Sequence, residues 1–410
     1  MIPPFLHPFA RPAAENFVTI VRGSGARVTD AEGTEYVDAM ASLWYCNVGH
    51  GRAEIADAVA RQLRQLDAFH TFEMFSNEPA DEVAGILADL APVPGSRVFF
   101  TSSGSEAVDS ALKIARLAQA VRGEPQRRFV VSRRPSYHGV TYGGMAATGL
   151  PANQELFGSM LPDVVQTPKD DLEAVRAVFE QHPGQVAAVI AEPVIGAAGV
   201  YPPQPGYLQG LRRLCDEHGA WLIMDEVICG FGRLGRWWGA QRFDVRPDLT
   251  TFAKAVTSGY LPLGGVLVAP AVRQVLESDA SLVLRHGHTY SGHPAACAAA
   301  VVALDIIRRE GLMDRAGKVG DRLSTGLRAL HADGQIADVR GDGAVWAAGL
   351  DDVDAAAVRD AMLPHGVIAR PIGTSTISFC PPLVIDDDDI DRCVEALDRA
   401  VSDVRKRAVG

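Results

Sequence analysis

Between residues 98 and 269 the chain repeats one pattern: a short run of almost wholly apolar residues, then a stretch with helical spacing. The runs are Val98–Thr101, Phe129–Ser132, Val186–Ala191, Trp221–Asp225, Leu249–Phe252 and Gly265–Ala269. Each is too short for a helix, and a strand apolar at successive positions has to be buried on both faces. This predicts a mostly parallel sheet covered by helices and joined by right-handed crossovers. The 410 residues exceed one small core, and length alone suggests roughly two to three domain-sized units.

The flanks read differently. Val18–Val21, Ala26–Thr29 and Glu35–Ala39 suggest short strands, with a turn at Asp30–Gly33. Ile55, Val59, Leu63 and Leu66 recur at helical spacing, as do Val83, Ile86, Leu87 and Leu90. Toward the C-terminus the pattern predicts helices around 295–309 and 312–331 and strands near 345–350, 367–370 and 376–379. A last helix starts near Asp387. The expected organisation is a large α/β domain over 61–299 and a smaller α+β domain from both ends, 1–60 and 300–410.

Composition removes several function classes. The net charge of −11 lacks the basic stripe of a nucleic-acid binder, and Arg127–Arg128 and Arg133–Arg134 are too short to supply one. Met1–Pro8 has neither the charged nor the apolar segment of a secretory signal, and no apolar stretch is long enough to span a membrane. The 6 cysteines are scattered without a C-x-x-C pair and read as free thiols. A soluble, cytoplasmic protein is expected. Asp386–Asp389 suits the start of a helix and lacks the glycine and distal glutamate of a calcium loop. His286-Gly287-His288 has poor zinc spacing, so no metal is predicted.

In sheets of this kind ligands bind beyond the carboxyl ends of the strands. After Val98–Phe100 comes Thr101-Ser102-Ser103-Gly104-Ser105-Glu106-Ala107, where small residues opening a helix suit a phosphate and equally suit an N-cap. Asp225 ends an apolar run, where a carboxylate needs a cationic partner. A protonated heterocycle would serve, as would a cap or an internal salt bridge. Lys254 follows another buried run; a desolvated lysine suits Schiff-base chemistry, and the plainer alternative is a snorkelling side chain. Phosphate cup, strand-end aspartate and strand-end lysine at one sheet edge are together the parts of a pyridoxal phosphate site. Tyr137, in Tyr137-His138-Gly139, adds an aromatic for the ring to stack on.

The sequence resembles the class III (omega) aminotransferases of the fold type I pyridoxal-phosphate superfamily over nearly its whole length. The resemblance is carried by Ser103–Ala107, Tyr137–Gly139, Ala191-Glu192-Pro193, Asp225–Arg233, Lys254 and Thr289–Pro294, the Asp225–Arg233 block being the most specific. It implies a fold type I aminotransferase-like α/β architecture and pyridoxal 5'-phosphate bound through Ser103, Gly104, Ser105, Tyr137, His138, Glu192, Asp225, Val227 and Thr289. Lys254 is then the Schiff-base lysine and proton carrier, and Asp225 the partner of the ring nitrogen. Thr289 would reach the phosphate of a neighbouring subunit, making the active unit a homodimer or a dimer of dimers. The implied reaction is a ping-pong amino transfer from a primary amine or omega-amino acid to a keto acid such as pyruvate, by way of pyridoxamine phosphate.

Substrate residues follow the same resemblance. Arg370 matches the family arginine that clamps a carboxylate, although an interface salt bridge would use it equally well. Trp44 resembles a pocket aromatic of the amine– and β-alanine–pyruvate group, or is an ordinary core tryptophan. Phe72 is a further pocket candidate. Gly196-Ala197-Ala198-Gly199 lacks the glutamate typical of members acting on ornithine, acetylornithine or 4-aminobutyrate, and Ile228 stands where those often carry glutamine. Both departures favour the amine–pyruvate group, with (S) enantiopreference. The alternatives are the biotin-pathway enzyme that uses S-adenosylmethionine as donor, and a racemase or aminomutase on the same scaffold. A binding module without catalysis would need a damaged site, yet Lys254 and Asp225 are both intact.

Overall fold

The computed structural model describes residues 3–409; Met1, Ile2 and Gly410, at the ends of the segments read above, lie outside the described residues. The chain opens with strands Ile20–Ser24 (β1), Arg27–Asp30 (β2) and Glu35–Asp38 (β3). The central strands are Arg97–Thr101 (β4), Phe129–Arg134 (β5), Val164–Pro168 (β6), Val186–Ala191 (β7), Trp221–Asp225 (β8), Leu249–Phe252 (β9) and Gly264–Val268 (β10). Asp338–Asp342 (β11), Val345–Gly349 (β12), Val367–Ile368 (β13), Arg370–Ile372 (β14) and Thr376–Phe379 (β15) complete the set.

The central strands form one 7-stranded sheet in the order β4-β10-β9-β8-β7-β5-β6. Pairings from β6 through β9 are parallel, and β10 is antiparallel to both β9 and β4. Strand β4 therefore runs the same way as β9, and the carboxyl ends of β4, β5, β7, β8 and β9 share one edge. Burial explains why these runs had to be strands. Val130, Ile190 and Ile223 pack on one face with Ala107, Ala111, Ile114 and Ala118 of the helix Gly104–Val121. Their neighbours Val131, Val189 and Leu222 pack on the other with Leu208, Leu211 and Leu214 of the helix Tyr207–His218. Alternate residues of the same strands thus feed two separate cores, the period-2 consequence of a sheet covered on both sides.

Two expectations change. The stretch read as one strand over 367–370 is two, because β13 pairs parallel with β3 while β14 pairs antiparallel with β15. Ala369 is the switch between sheets, and it joins the two ends of the chain into the sheet β1-β2-β3-β13. Strands β6 and β11 were not anticipated; both are largely half-buried, so neither carries a continuous apolar run. Asp387 does open the last helix, and the acidic cluster is spent on capping and ion pairs with Arg27, Arg315 and Arg322. All 6 cysteines are buried and free, and among the described residues no helix is long and apolar enough to cross a membrane.

One buried polar residue ties both chain ends to the loop after β8, and a second fixes a turn in the N-terminal segment. Arg233 is fully buried; its Nη1 donates to the carbonyls of Ala344 (3.1 Å) and Pro381 (2.7 Å), and its Nη2 to Asn47 Oδ1 (2.5 Å). Asp38, at the end of β3, accepts from Met40 N (3.1 Å), Ser42 N (2.6 Å) and His50 Nε2 (2.8 Å). These bonds hold a tight turn in which Ala41, Ser42 and Trp44 have φ of 46°, 60° and 68°, a region costly for residues with a Cβ.

The hydrogen bond to Asp38, helped by Cys46, pushes His50 up to about 10. A histidine raised in the folded state contributes stability that is full below its unfolded value, about 6.5, and is lost as pH rises through about 10. His50→Ala is therefore expected to cost ~2 kcal/mol near pH 6. The gap to the parent protein should narrow steadily toward pH 10, as read by urea denaturation at a series of pH values.

Candidate active site

The shared strand edge opens into a cavity of about 350 Å³, lined among others by Ser103, Gly104, Ser105, Tyr137, His138, Glu192, Asp225, Val227 and Lys254. One wall is the start of the helix Gly104–Val121. Ser103 caps it, accepting from Glu106 N (3.2 Å), while Glu106 Oε2 accepts from Ser102 N (2.7 Å). The two readings of this segment are thus compatible: the Ser103 hydroxyl serves as the cap, and the helix's first amides face the cavity with the positive end of its dipole. A Cβ added at Gly104 would stand 2.8 Å from Val227 Cγ1, so only glycine allows the helix start and Val227 to come this close. Ser105 Oγ accepts from Val140 N (3.1 Å), fixing the cup from outside.

Asp225 ends β8 and is 4% exposed. Its Oδ2 accepts from His138 Nδ1 (2.8 Å), and its Oδ1 from Thr251 Oγ1 (3.0 Å) and Val227 N (3.2 Å). Thr251 is the register partner of Asp225 across the β8–β9 pair, so the sheet itself sets this contact. His138 is buried, and its Nε2 has no hydrogen-bond partner. The next residue, Glu226, points elsewhere: it accepts from Gly239 N (2.8 Å) and Ala240 N (2.6 Å), and burial pushes it up to about 7. Of the two adjacent carboxylates, only Asp225 lines the cavity.

Lys254 follows β9 with φ of 50°. Burial lowers its amine below the ordinary lysine value, and the negative charges of Asp225 and Glu192 oppose that shift. Glu192 is buried just after β7; Oε1 accepts from Tyr137 N (3.0 Å) and Oε2 from Gly196 N (2.9 Å). Burial raises the Glu192 carboxyl, and likewise raises the Tyr137 phenol. Arg370 opens β14 close enough for its charge to be felt at both Lys254 and Tyr137. No carboxylate of the described residues forms an ion pair with it.

Four expected residues, Arg370 among them, are not part of this cavity's lining in the single chain. Trp44 is 2% exposed and packs with Met40, Val194 and Ile228; the neighbouring Tyr45 lines the cavity instead. Phe72 is 42% exposed and lies against Gly287 in a separate surface depression. Thr289 is exposed, on the loop that carries His286 and His288. Both of those histidines meet Ser110 Oγ, at 2.9 and 3.2 Å. Among the described residues no group of His, Cys, Asp and Glu is placed to hold a metal ion. Thr251, Tyr45, Gly259 and Leu261 were not anticipated. Thr251 alone had a signal, as the hydroxyl residue three before Lys254 on a strand beside Asp225.

The donor set suits a phosphorylated heteroaromatic cation. The start of the helix Gly104–Val121 and Ser105 line the cavity with Tyr137 and Val227, and among the described residues no Lys or Arg forms an ion pair with the buried Asp225. The comparisons agree. The family model described as aminotransferase class-III matches residues 9–401. An omega-aminotransferase of Caulobacter vibrioides is 36% identical over 93% of this chain and 92% of its own. A beta-alanine–pyruvate aminotransferase of Pseudomonas aeruginosa is 34% identical over 94% and 92%. An amine transaminase from an uncultivated Pseudomonas species, solved in a PLP-bound form, superposes with a TM-score of 0.93 at 34% identity, covering 98% of this chain and 99% of that one.

The depressed Lys254 amine has a direct consequence. Because burial disfavours its ammonium form, the neutral amine gains population at lower pH than that of an exposed lysine. In cofactor-free protein, reductive labelling with a small aldehyde at pH 8 is expected to modify Lys254 ahead of Lys113 and Lys406, as read by peptide mass spectrometry.

Proposed function

Since the chain belongs to the class III aminotransferases, we propose that it is a pyridoxal-phosphate-dependent omega-transaminase, a cytoplasmic homodimer that moves an amino group from a primary amine or omega-amino acid to pyruvate. The observation that carries this reading is the convergence of Lys254, Asp225 and the Ser103–Ser105 helix start on one cavity. The pyruvate part is supported by the named activity of the Pseudomonas relative and by the absence of an acidic residue at 196–199.

In this reading Gly104 and Ser105 would hold the phosphate, Tyr137 and Val227 would take the ring, and Asp225 would pair with its nitrogen. Pyridoxal phosphate supplies the electron sink that makes the carbon bearing the amine acidic. Asp225 would hold the proton on the ring nitrogen, and His138 and Thr251 aim its carboxylate. Lys254 takes the proton from the substrate carbon and returns it on the other side of the reaction. Its lowered amine suits it to act as a base near neutral pH. Arg370 binds the acceptor's carboxylate through its planar fork. Thr289 completes the phosphate site of the other subunit.

Absorption spectra of the protein with pyridoxal phosphate test the core of this. The visible band should disappear on adding (S)-1-phenylethylamine and return with pyruvate. A band that ignores every amine would refute the transaminase reading, and no band at all would refute the role of Lys254. Lys254→Ala is expected to lower turnover by at least ~10³-fold. Arg370→Ala should raise the KM for pyruvate roughly 10–100-fold while leaving the first half-reaction with a simple amine near its parent rate. For the dimer, Lys254→Ala and Thr289→Ala subunits are each expected to be impaired alone. Refolded together, they should regain activity, because the mixed dimer has one site with both residues intact; no gain on mixing would remove Thr289 from the partner's site.

A further inference from the structure

A cavity of about 350 Å³ is small for a site that must take a cofactor and a donor together, since ligand pockets range over about 300–1,000 Å³. Most of its wall is fixed by strand ends and the helix start. The open side is different: there the lining residues are Tyr45, Gly259, Leu261 and Pro262, with Gly259 and Pro262 exposed. We propose that Tyr45 is a specificity-determining residue that closes this side against Gly259 and restricts the enzyme to small amine donors. The proposal rests on the transaminase reading and adds its substrate class.

The geometry at the mouth is tightly determined. A Cβ placed on Gly259 would stand 2.2 Å from Tyr45 Cδ2 and 2.4 Å from Cε2, so the ring lies directly against the glycine backbone. Gly259 has φ of 79°, which makes glycine doubly required there, by the backbone and by the ring. The Tyr45 hydroxyl is 2.5 Å from Ser42 Oγ. Ser42 is itself held in its left-handed conformation by the 2.6 Å bond from its N–H to Asp38. The ring is therefore pinned at both ends, by Gly259 beneath it and by the Asp38-anchored turn at its hydroxyl.

A rigid aromatic with two rotatable bonds makes a wall at little entropic cost. Two other lining residues are close-packed, Ile228 against Gly196 and Val227 against Gly104. A long substituent that leaves past Gly259 meets the Tyr45 ring. Atoms brought by a second subunit would narrow this opening further and could not widen it.

The test compares propylamine with 4-phenylbutylamine, two amines with the same reacting carbon that differ only in reach. Holoenzyme is mixed with each, and loss of the visible band gives a rate constant and a half-saturating concentration. The parent enzyme should favour propylamine. Tyr45→Ala is expected to raise the relative kcat/KM for 4-phenylbutylamine by ~10-fold or more, chiefly through a lower half-saturating concentration. Tyr45→Phe should keep the parent preference, because the ring remains. Gly259→Ala should displace the ring and shift preference the same way, and Tyr45→Ala/Gly259→Ala should match Tyr45→Ala alone.

A preference ratio in Tyr45→Ala within about twofold of the parent would overturn the proposal. So would effects of the two single changes that simply multiply in the double variant. Thermal melting of each variant identifies loss of fold; the double variant removes the ring clash but keeps the φ of 79° at position 259, so if the Gly259→Ala variants fail to fold, Tyr45→Ala against Tyr45→Phe decides. If the parent holoenzyme responds to propylamine but the ratio does not move, only the role of Tyr45 falls. If it responds to neither amine, nor to (S)-1-phenylethylamine or β-alanine, the transaminase reading falls and takes this proposal with it; a response to those last two donors alone would overturn the role given to Tyr45.

Discussion

A carboxylate buried at the end of a strand organises this site. Asp225 is almost wholly removed from water, a position that ordinarily drives an acid to its neutral form. Three donors converge on it from three elements: the imidazole after β5, the threonine on β9, and the amide of Val227. Together they hold the carboxylate in one orientation at the cavity wall. Among the described residues neither arginine nor lysine forms an ion pair with Asp225. Lys254, the nearest candidate, has instead been pushed toward its neutral form. A strand-end carboxylate held by three donors, in one cavity with a lysine whose amine burial lowers, suits catalysis better than it suits a structural ion pair.

The parts of the chain outside the large sheet reach this charge through Arg233. Its guanidinium binds a carbonyl from each side of β12–β15 and the side chain of Asn47, and Asn47 Nδ2 in turn donates to Phe231 O (2.9 Å). The loop after Asp225 is thereby locked to both chain ends. A guanidinium buried among neutral oxygens is costly, and burial lowers its pKa accordingly. What the cost secures is relative position: the turn that carries Tyr45 and the strand that carries Arg370 are both fastened to the loop that carries Asp225 and Val227.

How much of this was legible in the sequence depended on where each signal was stored. Asp225 and Lys254 stood out because a charged residue closing an apolar run marks a strand's carboxyl end, and parallel strands put such ends on one edge. Strands β6 and β11 were hidden because half-buried strands carry no continuous apolar run. The split at Ala369 was hidden for another reason: strand-like residues on both sides do not say which sheet each will join. The choice of Tyr45 over Trp44 as the cavity wall turns on three positive φ values in residues with side chains, and composition does not reveal these. They are stable only because Asp38, distant from the site in every other respect, holds the turn.

The same turn bears on the electrostatics of the substrate side. The resemblance expects a glutamate second in this stretch, and the chain has Ala197 there, within Gly196-Ala197-Ala198-Gly199. That segment brings no carboxylate, so Arg370 has no counter-charge from it. It opens β14 immediately after the switch at Ala369, half-buried, with burial lowering its pKa and the nearby Tyr137 opposing that shift. An uncompensated guanidinium costs the free protein stability that only an incoming anion restores. On the proposed reading, that anion is the carboxylate of the keto acid, bound between Arg370 and Lys254. A donor without a carboxylate has to fit the same space with Arg370 still unpaired. On that reading charge would set the keto acid apart from a simple amine, and size, through Tyr45, would discriminate among donors.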